Sequence, residues 1–377
     1  MQTGNSNYIP TLDGWRAIAI IGVLICHGAG FVFDANGSFP NSQLYHITRY
    51  GALGVNLFFG ISGFLICTRL LREQENYKQI SIRNFYIRRA FRILPAYLFY
   101  LLVLTLLSAL GWFQLYRKDL LSCVFFFRNY VVGGWYTGHF WSLAVEEHFY
   151  LLLPVTLVLF GLRRSRIMVV LLALAVAVWR VIEFRHGLIS RHLPRDVSFY
   201  SRTDICMDAL LWGCATAFLF QQSIWRERVG HWITPWAWCL LAILYIYCVA
   251  ANPPLTMMWQ AMLIPVLLVG TVLNPSWWLG KFLELPFIRW VGRISYGLYL
   301  WQQLFLPSDK SVVISQIKHL QQFPFNILAI FICATLSYYL MERHLIKIGH
   351  RLAARFSKAE NRMKSSAPVL SVESADS

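Results

Sequence analysis

The chain has 377 residues, of which 57% are hydrophobic, 16% aromatic and only 14% charged, and it carries a net charge of +16. That much apolar surface exceeds what a soluble core can hide, which excludes an ordinary soluble enzyme and points to an integral membrane protein. The positive charge needs no nucleic acid to explain it, because basic residues at a cytoplasmic face match an anionic leaflet.

About ten apolar stretches lie near 15–34, 52–71, 92–111, 139–161, 167–184, 205–221, 233–251, 256–273, 292–307 and 323–342. Each approaches the ~20 residues that a helix needs to cross the hydrocarbon. They are too long and too weakly alternating for the strands of an outer-membrane barrel. The expected fold is all-α, a polytopic bundle of about ten transmembrane helices. The first stretch lacks a basic leader and a small-residue cleavage site, so it is read as retained. Lys and Arg are roughly twice as frequent in the connections on the side of the N-terminus, which places both termini in the cytoplasm.

The first stretch, "LDGWRAIAIIGVLICH", holds Arg16 and His27. Eleven residues are three helical turns plus about 20°, so the two side chains share a face about 16 Å apart along the axis. Ionisable groups at such depth are costly and usually face a bundle interior or a wet cavity. The plain alternative is an arginine that snorkels and a histidine bonded to a carbonyl. In the second stretch, Gly60, Ser62 and Gly63 form a small-residue patch for a close helix or a thin ligand. Arg69 lies seven residues beyond Ser62, on the same face. Next, "RNFYIRRAFRILPAY" puts Arg89 and Arg92 on one helical face, beside Arg88. Such a cluster suits phosphate, which guanidinium grips in a bidentate fork, although a positive-inside flank looks the same.

The fourth stretch opens with "HFWSLAVEEHFYLLLP". Glu146 shares a stripe with Ser142 and Tyr150, while Glu147 points about 100° away. A buried carboxylate is expensive unless paired, so an interhelical salt bridge competes with a catalytic role. Further along, Arg180 and Glu183 form an i,i+3 pair, Asp204 and Asp208 lie one turn apart, and "YGLYLWQQ" gives the ninth stretch an aromatic, amide-bearing stripe. The connections 112–138 and 185–204 are long enough to shape an outward-facing pocket. The eight cysteines contain no CxxC pair, which favours packing residues over a disulfide frame or a zinc site, and no metal is expected. One domain, 8–345, is expected, followed by a small, polar, disordered cytoplasmic tail at 358–377.

Taken in order, "LDGWRAIAIIGVLICH", "GVNLFFGISGFLI", "IRRAFRILPAY", "FWSLAVEEHFYLLLP", "DALLWG" and "ISYGLYLW" resemble the membrane acyltransferase 3 family over nearly the whole chain. The resemblance implies transfer of an acyl group, commonly acetyl, from a cytoplasmic acyl-CoA to a hydroxyl of a cell-surface or exported carbohydrate. It makes His27 the catalytic histidine, with Arg16 and Glu146 in the catalytic set. It gives Arg89, Arg92, Ser62 and Gly63 to the coenzyme, and the position of Arg69 toward the same inner face adds it to that set. Trp141, Ser142, Asp204 and Asp208 are the candidates to meet the acceptor. In the mechanism that follows, neutral His27 is general base on the acceptor hydroxyl and Glu146 orients its imidazole; an acyl-histidine intermediate is the variant. The chain departs from the family at Cys206 and Gln302, where relatives often carry arginine and histidine. Some members append a soluble esterase-like domain, and none is expected here.

The expected partners are a carbohydrate or glycolipid acceptor and membrane lipid, with self-association left open and nucleic acid excluded. The expected location is the inner membrane of a bacterium. Acyl-CoA is the expected donor substrate. The competing class is a transporter or flippase of a glycolipid or oligosaccharide precursor. Its hallmark would be inverted repeats with broken helices, and the sequence shows no such symmetry.

Overall fold

The computed structural model describes residues 8–35, 50–251, 255–308 and 310–366. Among these the regular structure is helical throughout, and every one of the ten apolar stretches lies wholly or largely within it. The main helices are α1 (Pro10–Ala35), α2 (Leu53–Tyr77), α3 (Ile82–Ala109), α4 (Phe140–His186) and α5 (Asp208–Gln221). They are followed by α6 (Pro235–Ala251), α7 (Thr256–Leu273), α8 (Pro286–Phe305), α9 (Phe325–Leu336) and α10 (Arg343–Ser366).

Six of the described segments are long and apolar enough to cross a membrane: Pro10–Gly28, Tyr50–Tyr77, Ile82–Ala109, Trp135–His186, Thr256–Leu273 and Phe325–Ser357. The difference from ten stretches has local causes. Helix α5 has 14 residues and α6 has 17, and α8 mixes Arg289, Arg293 and two glutamines into its apolar run. The stretches 139–161 and 167–184 are joined in α4, whose 47 residues are interrupted at Gly161 by a non-helical φ of 70° and ψ of 163°. At 1.5 Å per residue, 47 residues would span about 70 Å, more than twice the hydrocarbon thickness. Glycine there reaches a positive φ without a Cβ penalty. Helix α10 runs to Ser366, beyond residue 358 where the polar tail was expected to begin, and 367–377 lie outside the described residues.

The outside of the bundle is apolar as well as its core, and buried polar residues are set among the core's apolar ones. Leu102, Leu106, Leu159, Leu171 and Ile246 are all more than half exposed, whereas Asp208, Glu183, Arg202, Gln302 and Ser142 are buried. Apolar side chains on the outside are what lipid accepts, and the polar ones turn inward. Helix α1 packs between α2 and α8, α2 lies along α5, and α10 returns along α3. The five helices α1, α2, α3, α4 and α8 therefore converge on one polar interior.

Candidate functional site

A narrow cavity of about 100 Å³ lies where those five helices meet. Arg16 from α1, Ser62 from α2, Arg89 and Arg92 from α3, and Ser142 and Glu146 from α4 all line it. The Glu146 carboxylate is held from three sides. Ser62 Oγ donates to its Oε1 at 2.8 Å, Tyr150 Oη donates to its Oε2 at 2.9 Å, and Arg89 Nη2 lies 3.7 Å from Oε2. The same guanidinium sits 3.7 Å above the Tyr150 ring centroid. A buried charge with hydrogen bonds on both oxygens and a cation beside it is satisfied where it stands. The sequence reading of an interhelical pair thus applies to Glu146. Deeper in the wall, Ser142 Oγ lies 2.5 Å from Tyr299 Oη, so that one hydroxyl donates to the other and the second donates to the His139 carbonyl, which is 3.2 Å from Ser142 Oγ and 3.0 Å from Tyr299 Oη.

On one side of this constriction opens an arginine-lined vestibule of about 810 Å³ that includes Arg69, Arg72, Arg88, Arg89 and Arg92. Arg88 is tied to Glu73 at 2.8 Å. Among the described residues, Arg69 and Arg92 have no carboxylate within 4 Å. Clustered guanidinium groups repel one another, and an anion with several oxygens relieves that repulsion. Arg89 and Arg92 line both spaces, so the vestibule and the constriction share a wall.

On the other side lies a cavity of about 1030 Å³, which shares Val55 with the constriction and includes Trp141, Asn56, Asn129, Tyr200 and Gln260. Trp141 meets Phe59 edge-on at 6.1 Å. Arg128 also borders this space and is held by Thr137 Oγ1 and by the carbonyls of Val131 and Gly134. Burial pushes its pKa below the ordinary guanidinium range, against the opposing pull of Cys123 and Asp119.

The predicted residues do not all meet. His27 is half-buried; its Nδ1 lies 2.9 Å from Gln302 Oε1 and its ring stands edge-on to Trp135 at 5.7 Å. An amide oxygen only accepts, so Nδ1 is the donor in this contact, and in the neutral ring the lone pair is on Nε2. The expectation that Glu146 orients His27 is therefore corrected. Ser62, Tyr150 and Arg89 occupy the carboxylate, and Gln302 holds the imidazole. His27 is not among the residues lining the three cavities. Arg16 faces the constriction and lies 3.8 Å from Asp13.

Three further expectations change. Gly63 does not border a ligand path, because a Cβ there would lie 2.0 Å from the Leu210 carbonyl oxygen. Its missing side chain lets α5 approach α2, so the glycine serves packing and only Ser62 of that patch faces the cavity. Asp208 is bound to Arg180 at 2.7 Å, and Asp204 accepts from Arg202, Trp179 and Tyr130. Neither acid lines the outer cavity. Arg180 does not pair with Glu183, whose partner is Arg202 at 2.8 Å. What the sequence did not indicate is the role of two adjacent glutamines in α8. Gln302 takes His27, and Gln303 Oε1 lies 2.6 Å from Nδ1 of buried His139. Their signal was present only as the amide-bearing stripe of the ninth stretch.

Residues 9–342 match the family model described as an acyltransferase domain. The peptidoglycan O-acetyltransferase OatA of Listeria monocytogenes is 27% identical, over 91% of this chain and 56% of its own. A peptidoglycan O-acetyltransferase candidate of Bacillus subtilis is 29% identical, over 94% and 57%. An O-acetyltransferase candidate of Staphylococcus aureus strain COL is 28% identical, over 78% and 50%. The chain thus spans about half the length of these relatives. No solved structure matches it.

Proposed function

Because the chain belongs to the acyltransferase 3 family of membrane O-acetyltransferases, we propose that it moves an acetyl group from cytoplasmic acetyl-CoA to a hydroxyl of a carbohydrate on the far side of the membrane. The observation that carries this reading is the series of three spaces: a cationic vestibule, a constriction of about 100 Å³ and a wide cavity lined by amide and aromatic side chains. In this reading the coenzyme's phosphates rest on Arg69, Arg89 and Arg92. Its pantetheine arm threads the constriction between Ser62 and Tyr299, and the sugar enters the wide cavity beside Trp141. A ten-helix layout in a bacterial inner membrane, with both termini in the cytoplasm, belongs to the same proposal.

The chemistry assigned to His27 balances as follows. With Nδ1 donating to Gln302, Nε2 of the neutral imidazole takes the proton of the acceptor hydroxyl as its oxygen attacks the thioester carbonyl. A tetrahedral intermediate collapses, the C–S bond breaks, and the coenzyme thiolate recovers the proton. The reading requires the thioester to pass Val55 and reach Nε2. Glu146 acts in it as a positioning residue, bracing Ser62 and Arg89 at the constriction. The relatives whose names specify an acceptor specify peptidoglycan, which makes a cell-wall glycan the first acceptor to try.

The test uses purified protein in nanodiscs with radiolabelled acetyl-CoA and a panel of glycans, comparing wild type with His27→Ala and Arg89→Ala. The first change lowers turnover by about 10² to 10⁴-fold, the usual contribution of a placed base, and the second acts mainly on coenzyme affinity. Wild type that binds no acyl-CoA removes the donor and favours a glycolipid flippase instead.

A further inference from the structure

The family match ends at residue 342, but the wall of the arginine vestibule does not. Helix α10 contributes Ile346, His350, Ala353, Ala354 and Ser357 to it. Spacings of four, seven, eight and eleven residues put all five on one helical face. The helix is fixed against α3 by close contacts. A Cβ on Gly349 would lie 2.5 Å from Phe91 Cβ, and the Arg83 guanidinium carbon lies 4.4 Å from the Phe356 ring centroid. The His350 ring is exposed and makes no hydrogen bond among the described residues. Arg69 and Arg92, which have no carboxylate within 4 Å among the described residues, line the same cavity.

We infer that α10 completes the donor site, with His350 and Ser357 donating hydrogen bonds to the phosphate-bearing end of the coenzyme in the cavity they share with Arg69 and Arg92. The inference rests on the donor reading above and adds a second wall to it. An imidazole N–H and a hydroxyl are suitable donors to phosphate oxygens. The small, exposed Ala354 between them leaves room for a nucleotide to lie against the helix. Coenzyme recognition in this chain would then depend on residues beyond the matched domain.

The experiment is equilibrium binding to the full chain in nanodiscs, using coenzyme A and pantetheine as probes, with wild type, His350→Ala, Ser357→Ala and Gly349→Leu. Wild type is expected to favour coenzyme A. His350→Ala should weaken coenzyme A about 10-fold, the scale of one hydrogen bond to a charged group, with pantetheine binding unchanged. Ser357→Ala should act in the same direction by a smaller factor, and Gly349→Leu, which wedges α10 away from Phe91, should reproduce the loss. Variants that bind coenzyme A like wild type, or lose both probes in equal proportion, overturn the role of α10 and leave the donor reading standing. Wild type that fails to bind coenzyme A overturns the donor reading itself.

Discussion

The two ends of the bundle both collect arginines and treat them in opposite ways. Toward the wide cavity two buried arginines have acids: Arg180 has Asp208, and Arg202 has Glu183 and Asp204, while Arg128 is held by Thr137 and two backbone carbonyls. In the vestibule, Arg69 and Arg92 have none within 4 Å among the described residues. Arginine content alone does not distinguish a brace from a binding group. A paired guanidinium has already been neutralised by the fold, and an unpaired cluster keeps its attraction for an anion that comes and goes.

Arg202→Ala tests the braced end and carries the largest expected effect on folding. It leaves Glu183, itself 1% exposed, without its cation, and removing one partner of a buried pair costs about 3–5 kcal/mol. Thermal unfolding in detergent should show a marked drop in Tm, and an unchanged Tm would break the contrast from this side. Arg92→Ala tests the open end. Losing one hydrogen-bonded charge toward the coenzyme should weaken binding by about 1.5–3 kcal/mol, while Tm stays level or rises as repulsion from its neighbours is relieved. A fall in Tm to match Arg202→Ala would mean that the vestibule is braced too. The smallest effect belongs to the boundary between the ends. Ser62→Ala removes one hydroxyl donor to the Glu146 carboxylate, at the low end of the about 1.5–3 kcal/mol of a hydrogen bond to a charged group because Tyr150 and Arg89 remain on it, and should slow turnover severalfold.

Helical spacing made much of the inner end legible. It put Arg89 with Arg92, set Glu146 apart from Glu147, and placed Ser62 on a small-residue face, and the constriction draws on all three. It failed where the partner lies on another helix. Arg180 looked paired to Glu183 three residues on, yet its acid is Asp208, across from α4 on α5. Gln302 stood out as part of an amide-bearing stripe and as a departure from the family pattern, and neither sign tied it to His27, which it holds. Within one helix the backbone fixes which side chains are neighbours. Between helices, packing chooses, and close approaches such as that at Gly63 are set by the opposing backbone, which a local pattern does not contain. The break at Gly161 was legible, because one apolar stretch ends there and the next resumes at 167, beyond Arg163, Arg164 and Arg166.

The constriction also bears on the cell's energy supply. A protein that opens to water on both faces of a membrane risks becoming a leak for protons and ions. A gap of about 100 Å³, crossed by Arg89, Glu146, Ser62 and Tyr150 in mutual contact, holds only a handful of water molecules, and its fixed charges resist the passage of cations. On the donor reading proposed above, the same knot of side chains that would bracket the coenzyme's arm would also limit leakage across the bilayer between turnovers.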